Sequence, residues 1–284
     1  MRVHGIRDRG KMDQWFRKAV AVAVMGCLMA ASQAQLTNGS FESNFTGWNR
    51  IGDTLILDSG LGSGPTDGTL DAFLATATDG TVNPNVPIGS GVSAAQIETF
   101  LSLSSGTLSG LGHGTPILGS AISQTFTIGN GDSLAFDWDF MTNQVYNDGV
   151  TANSYAPDVE NNDFAIVSLT QQGGGSSILI LADTFFGYVN DPQAPGGFIT
   201  GFTITPSTNP FVSETGFDTM TLSQMVGGTY QLGFAVFHSS SGVDNGINSA
   251  LVVDAVHIDS VPEPATLAAV GVGVAALLRR RRRQ

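Results

Sequence analysis

Beyond residue 34 the chain has no cysteine and no lysine: Cys27, Lys11 and Lys18 are its only thiol and its only ammonium groups. A mature body starting at residue 35 therefore forms no disulfide, runs no thiol chemistry and builds no thiolate metal site. Of the 12 basic residues, six precede Gln35 and five close the chain, which leaves Arg50 alone in between. Residues 35–260 carry 21 carboxylates against that single guanidinium, a net charge near −20. Such a surface repels phosphate backbones and anionic lipid, and no nucleic acid is expected as a partner. Divalent cations are its natural counter-partners, although the acidity alone also keeps a protein soluble.

Catalytic signatures are scarce too. No serine sits in a Gly-x-Ser-x-Gly elbow. His113, His238 and His257 lie far apart and at no His-x-x-x-His spacing, which speaks against zinc. His238 and His257 fall on expected strands as structural residues, and His113 in a Gly-rich loop. The cluster Gly60-Leu61-Gly62-Ser63-Gly64 lacks the helix and the lysine that a phosphate cradle needs.

The basic residues that do exist mark the two ends. Arg2, Arg7, Arg9, Lys11, Arg17 and Lys18 form an n-region, Ala19 to Ala31 an apolar stretch, and Ser32-Gln33-Ala34 a small-x-small site. Together they read as a signal peptide over residues 1–34, with Met12 as an alternative start. A lipobox reading of Val24-Met25-Gly26-Cys27 competes, but the apolar run continues past Cys27 to the better cleavage site. At the other end stand Pro262-Glu263-Pro264, an uncharged run from Ala265 to Leu278, and Arg279, Arg280, Arg281, Arg282 and Arg283. The prolines break any strand or helix. The arginines lie where the positive-inside rule places cytoplasmic charge. Fourteen helical residues rise about 21 Å, short of the roughly 30 Å hydrocarbon core, so a permanent tail anchor is the weaker reading.

These three parts, in this order over residues 261–284, resemble the PEP-CTERM sorting signal of Gram-negative bacteria. The resemblance implies recognition by exosortase, a membrane-embedded cysteine transpeptidase that acts near the Pro-Glu-Pro. It also implies a precursor held transiently in the inner membrane and then passed to the cell surface or medium, commonly in bacteria that make extracellular polysaccharide.

Between the ends, short apolar stretches alternate with polar residues and are separated by Gly, Ser, Thr, Asn and Asp. In Leu134 to Phe140 the residues Leu134, Phe136, Trp138 and Phe140 share one face, with Asp137 and Asp139 on the other. This strand and Ile122 to Ile128 flank Gly129-Asn130-Gly131-Asp132 and are expected to form a hairpin. Further strands are expected at residues 55–57, 71–76, 164–169, 178–183, 198–204, 230–238 and 250–258. Ser93 with Gln96 is a capping-box pattern. Ala94, Ile97 and Leu101 then predict one short helix, residues 93–104, over an end of the fold. The whole reads as an all-β, antiparallel, jelly-roll-like sandwich over residues 35–260.

A second resemblance rests on Asn38-Gly39-Ser40-Phe41-Glu42, on Gly47-Trp48 and on the closing run Val252-Val253-Asp254-Ala255-Val256. These are similar to the opening and closing strands of galactose-binding-like and carbohydrate-binding-module jelly rolls. The resemblance implies chain ends on neighbouring strands and a structural calcium held by Glu42 and Asp254 with backbone carbonyls, oxygen ligation that suits the ion. Ala255 departs from the Asp-Asp-Val pattern. Phe41 and Trp48 are expected in the core.

The densest polar stretch, residues 143–163, holds Asp148, Asp158, Glu160 and Asp163 with Tyr146 and Tyr155. Such a loop suits calcium or sugar hydroxyls, or is simply an acidic loop. Three readings follow: an exported, non-catalytic protein associated with extracellular polysaccharide, a structural or adhesion protein without glycan specificity, and an acidic-loop glycoside hydrolase. The last would need a carboxylate pair at glycosidase spacing.

Overall fold

The computed structural model describes residues 36–58, 63–76, 91–112, 115–142, 163–184, 187–188, 199–200, 211, 213–239, 249–261 and 279. Two compact units divide the chain, Gln35–Asp259 and the paired ends Met1–Ala34 and Ser260–Gln284. The expected strand at 198–204 is described only at 199–200, and His113 lies outside the described residues, as do the expected signal peptide and residues 262–278 and 280–284.

Within Gln35–Asp259 the elements are β1 (Asn49–Ile51), β2 (Asp53–Asp58), β3 (Leu70–Ala75), β4 (Val92–Ser93), α1 (Ala94–Phe100), β5 (Pro116–Ile128), β6 (Ser133–Thr142) and β7 (Phe164–Gln171). They continue with β8 (Ser176–Asp183), β9 (Gly187–Tyr188), β10 (Ile199–Thr200), β11 (Ser213–Glu214), β12 (Asp218–Leu222), β13 (Gly228–Ser239) and β14 (Ser249–Asp259). One sheet runs β1-β5-β13-β7-β8-β9, with β4 also on β5. The other runs β10-β11-β6-β14-β3-β2, with β12 also on β6. Every pairing is antiparallel. The all-β sandwich with one short helix is the observed architecture.

Alternation along the strands builds the core. Leu134, Phe136, Trp138 and Phe140 of β6 meet Ile122, Phe126, Leu232, Phe234 and Val236 of the facing sheet, together with Leu251 and Val253 of β14. Burying one such side chain stabilises the fold by about 1.5–3 kcal/mol. Both sheets are apolar on their outer faces as well. Ile97 and Leu101 of the helical segment cover Ala121, Phe164, Ile166, Ala235 and Phe237. On the second sheet Phe211 and Phe217 pack on Phe73, Met141 and Val252, with Leu55 and Leu57 of β2 beside them in the sheet.

Three expectations are corrected by these positions. β5 and β6 do not form a hairpin but lie in opposite sheets. Both aim their large side chains into the same interior, which two strands of one hairpin cannot do from opposite sides. The Gly129–Asp132 turn is tied instead to the 225–227 loop, through Gly131 N to Met225 O at 2.8 Å, Met225 N to Asp132 O at 2.9 Å and Gly227 N to Asn130 Oδ1 at 2.7 Å. The helix has the expected capping box, Ser93 N donating to Gln96 Oε1 at 3.0 Å, but it ends at Phe100 and covers the outer face of the first sheet rather than an end. Gly233 admits it: a Cβ there would come within 2.4 Å of Leu101. Finally, the opening Asn-Gly-Ser-Phe-Glu stretch is a run of turns, not a strand, and the first strand, β1, pairs with β5 rather than with β14.

Candidate functional site

The opening turns are folded by their own side chains. Asn38 Oδ1 accepts from Ser43 N at 3.0 Å while its amide donates to Asn44 O and Thr46 O at 2.6 and 3.2 Å. Asn38, Phe41 and Asn44 take left-handed backbone angles to make the turns. The tight winding drives Phe41 inward, fully buried, against Trp48 at a centroid distance of 5.2 Å. Trp48 in turn abuts Phe234, and its indole N–H donates to Asn38 O at 3.1 Å. Both aromatics are core, as expected, and neither is a ligand platform. The segment is fastened to each sheet: Thr37 N–H and C=O pair with the Gln124 side-chain amide at 2.6 and 2.9 Å, and Gly39 O accepts from Val256 N at 3.0 Å.

Glu42 and Asp254, expected as calcium ligands, are brought to one loop, the stretch before β3. Glu42 Oε1 accepts from Thr69 N at 2.5 Å and Leu70 N at 2.8 Å, and Oε2 from the Thr69 hydroxyl at 3.0 Å. Those backbone donors hold the exposed Glu42 carboxyl below the usual carboxylate range. Gly68 makes room, since a Cβ there would lie 2.4 Å from Glu42 Oε1. Asp254 Oδ2 accepts from Thr66 N and Asp67 N at 2.8 and 2.7 Å, and Oδ1 from Ala255 N at 2.7 Å. Each of the four oxygens meets a donor, three of them from the loop and Asp254 Oδ1 from Ala255.

Asp71 joins Asp254 on the outer face of the second sheet, one pair beyond the Val253–Ala72 register. Its Oδ1 is buried without a hydrogen-bond partner. Burial first, then the charges of Asp254 and Asp58, push its carboxyl up to about 8. Burial also raises Asp254, against the pull of its backbone donors.

At the opposite end of the sandwich Asp163 is the centre of a buried network. His238 Nδ1 lies 2.9 Å from Asp163 Oδ1, Ser239 N donates to the same oxygen at 3.1 Å, and the Ser249 hydroxyl donates to Oδ2 at 2.7 Å. Ser249 Oγ also meets Thr142 Oγ1 at 3.0 Å. This ties β6, β7, β13 and β14 across both sheets. A hydrolytic serine needs the imidazole between itself and the acid. Here the carboxylate stands between, so the three groups do not form that relay. Asp163 was expected as an outward ligand of the acidic loop, but it is 1% exposed and its oxygens are occupied. Its companions Asp148, Asp158 and Glu160 lie outside the described residues, as do Pro262, Glu263, Pro264 and all of the arginine run except Arg279. Among the described residues no three His, Cys, Asp or Glu are grouped to hold a metal ion.

Sequence reasoning missed the buried carboxyls Asp71, Asp139 and Glu214. Asp139 had a signal in its alternation with Trp138 and Phe140, but alternation marks an outward residue without showing what covers it.

The family described as the PEP-CTERM protein-sorting motif matches residues 260–283. The tail carries that motif, which marks the chain as an exported protein. No curated protein matches the chain in sequence. Among solved structures it is similar to TmCBM61 in complex with beta-1,4-galactotriose, at 10% identity over 81% of this chain and 100% of that one, with a TM-score of 0.40. It is also similar to the K1 cleaved adhesin domain of Lys-gingipain from Porphyromonas gingivalis W83, at 12% identity over 74% and 90% with a TM-score of 0.33. A third is the Clostridium thermocellum xylanase 10B CBM22-1–GH10 pair complexed with xylohexaose, at 11% identity over 81% of this chain and 29% of that one, TM-score 0.31. At these values the likeness concerns the general fold alone.

Proposed function

We propose that this is a non-catalytic cell-surface or extracellular-matrix protein that exosortase sorts through its C-terminal signal, and that its sandwich associates with extracellular polysaccharide. The observation that carries the reading is the sorting motif at residues 260–283. Residues 1–34 act as the signal peptide, residues 35–260 as the exported domain, and the tail holds the precursor in the inner membrane of a Gram-negative bacterium until it is processed.

For the body, the support is negative selection among its polar groups. At Asp163, His238 and Ser249 the polar side chains are buried and bonded within the network. Phe41, Trp48 and Trp138 are buried too. Sugar contact on this reading falls to the acidic loop with Asp148, Asp158 and Glu160, which joins β6 to β7 at the Asp163 end. Any calcium involved would act there or at Glu42 and Asp254.

The two halves of the reading are tested separately. Replacing Pro262 and Glu263 by alanine, or deleting Arg279–Arg283, should leave full-length precursor in the inner membrane; unchanged release would sink the sorting role. Released protein should be retained on polysaccharide from its own producer, and Asp158→Asn with Glu160→Gln should weaken the retention. No retention on any polymer, with calcium or with chelator, would leave the structural or adhesion role in its place.

A further inference from the structure

Asp139 and Glu214 stand on neighbouring strands, β6 and β11, on the outer face of the second sheet. β11 is held to β6 by the pairs Ser213–Thr142 and Glu214–Met141. Just beyond it, Thr215 N donates to Phe140 O at 2.9 Å, and the Thr215 hydroxyl accepts from Phe140 N at 2.9 Å and donates to Asp139 Oδ1 at 3.0 Å. Ser63 Oγ donates to Glu214 Oε1 at 3.2 Å. Both carboxyls are buried, at 0% and 3% exposure. The remaining oxygens, Asp139 Oδ2 and Glu214 Oε2, have no donor. The ladder sets Glu214 beside Met141, two residues from Asp139 on the same face, which brings the two carboxyls within interaction range of each other. Two carboxylate oxygens repel at that range unless a proton lies between them.

Among the described residues of the body no lysine or arginine stands in for that proton. The exported body has no lysine and a single arginine, and Arg50 lies over the Phe45 ring at 5.2 Å. The other titratable groups that the described strands turn to this face are the carboxyls of Asp137 on β6, Asp254 on β14, Asp71 on β3 and Asp53 on β2, and one imidazole, His257, at the far end of β14 beside Ala135 and 3.7 Å from Asp259. Asp67 in the loop below and Asp218 on the edge strand β12 add two more acids and no base.

We propose that Asp139 and Glu214 share one proton, and that this proton is a pH-set latch closing β11 and the following Phe217 over the apolar outer face of the second sheet. Loss of the proton to solvent leaves two buried anions side by side. The strand they join has two residues, so their repulsion works against a short ladder and the Thr215–Phe140 bonds. Its release uncovers Phe73, Met141 and Val252, giving the exported protein an apolar patch in alkaline surroundings that it lacks in acidic ones.

Amide exchange across residues 211–217, measured on the released protein from pH 5 to 9, tests the latch. Glu214→Gln supplies a permanent N–H donor to Asp139, so the variant should stay closed throughout. Protection in the unaltered protein, taken relative to Glu214→Gln at each pH, should fall about tenfold per pH unit once the pair titrates. Asp139→Asn gives the second comparison if the glutamine variant fails to fold, and either variant should lose a carboxylic-acid infrared band that the unaltered protein keeps at neutral pH. Equal pH dependence in the unaltered protein and both variants would overturn the proposal. So would recovery of alkaline protection by calcium alone and its loss with chelator, since a cation would then be the bridge.

Discussion

Val256 donates its backbone N–H to the carbonyl of Gly39 at 3.0 Å, and a Cβ on Gly39 would fall 1.8 Å from the Val256 carbonyl oxygen. A bulge in β14 makes the contact. The pairing with β6 passes from Asp254–Asp137 to His257–Ala135, and Ala255 takes a φ of +51°. The extra residue turns Val256 away from the ladder and toward the opening turns. Glycine at position 39 is thus set by a backbone that passes too close for any side chain.

Gly39→Ala should therefore destabilise the fold by at least the 1–3 kcal/mol typical of overpacking. Ala255→Gly should stabilise it by about 1 kcal/mol, by relieving the left-handed strain. Urea unfolding of the two variants checks both signs, and a neutral Gly39→Ala would refute the close approach.

Glu42 holds the amides of Thr69 and Leu70, and Glu42→Ala should raise the exchange rates of those two amides more than others of the sandwich. Because the folded carboxyl titrates below its ordinary value of 4.5, this contribution is present above that pH and disappears as pH falls through the lowered value. Protection of Thr69 and Leu70 should thus fade first on acidification. Glu42→Gln, which keeps an acceptor oxygen, should recover part of it at neutral pH.

Asp71 has the opposite sign. Its folded carboxyl is raised from 3.8 to about 8, so the folded state holds the proton more tightly than the unfolded chain. Stability is greatest below the lower value and declines as pH rises through the window, by up to about 1.4 kcal/mol per pH unit. Asp71→Asn should flatten that decline between pH 5 and 8 in denaturant titrations. An unchanged slope would show that Asp71 is not its source.

Asp163→Ala removes the shared acceptor of three buried groups, the His238 ring, the Ser239 amide and the Ser249 hydroxyl, of which Ser249 keeps Thr142. Each buried group left unsatisfied costs about 1–3 kcal/mol, and a loss of about 2 kcal/mol or more is expected in thermal unfolding. If Asp163 were instead a solvated loop ligand, the substitution would change stability by less than about 0.5 kcal/mol.

The strands were legible where one face is apolar and the other polar: Leu134, Phe136, Trp138 and Phe140 announce β6 and its buried side. Ser93 and Gln96 announced the start of α1, while its end depended on Ser102 taking a left-handed turn. Turn chemistry alone could not reveal that Gly129–Asp132 crosses between sheets, because a Gly-Asn-Gly-Asp turn serves either connection and the deciding bonds go to Met225 and Gly227. Glu42 and Asp254 were read as a pair from the ends of the chain, and they do serve one loop. That the loop offers them N–H groups was not readable, since backbone direction has no sequence signature. Asp139 read as an outward residue of its strand, and its burial beside Glu214 was not legible because β11 lies far away in sequence.

β14 has a mechanical meaning as well. It is an inner strand, hydrogen-bonded to β6 on one side and to β3 on the other, and it leads directly to Ser260 and the tail. Its bonds run perpendicular to the strand. A pull applied at Ser260 along the strand axis therefore strains both ladders together, in shear, instead of opening them one bond at a time. A protein held by its C-terminus against flowing liquid would be gripped through the strand whose attachment is hardest to unzip.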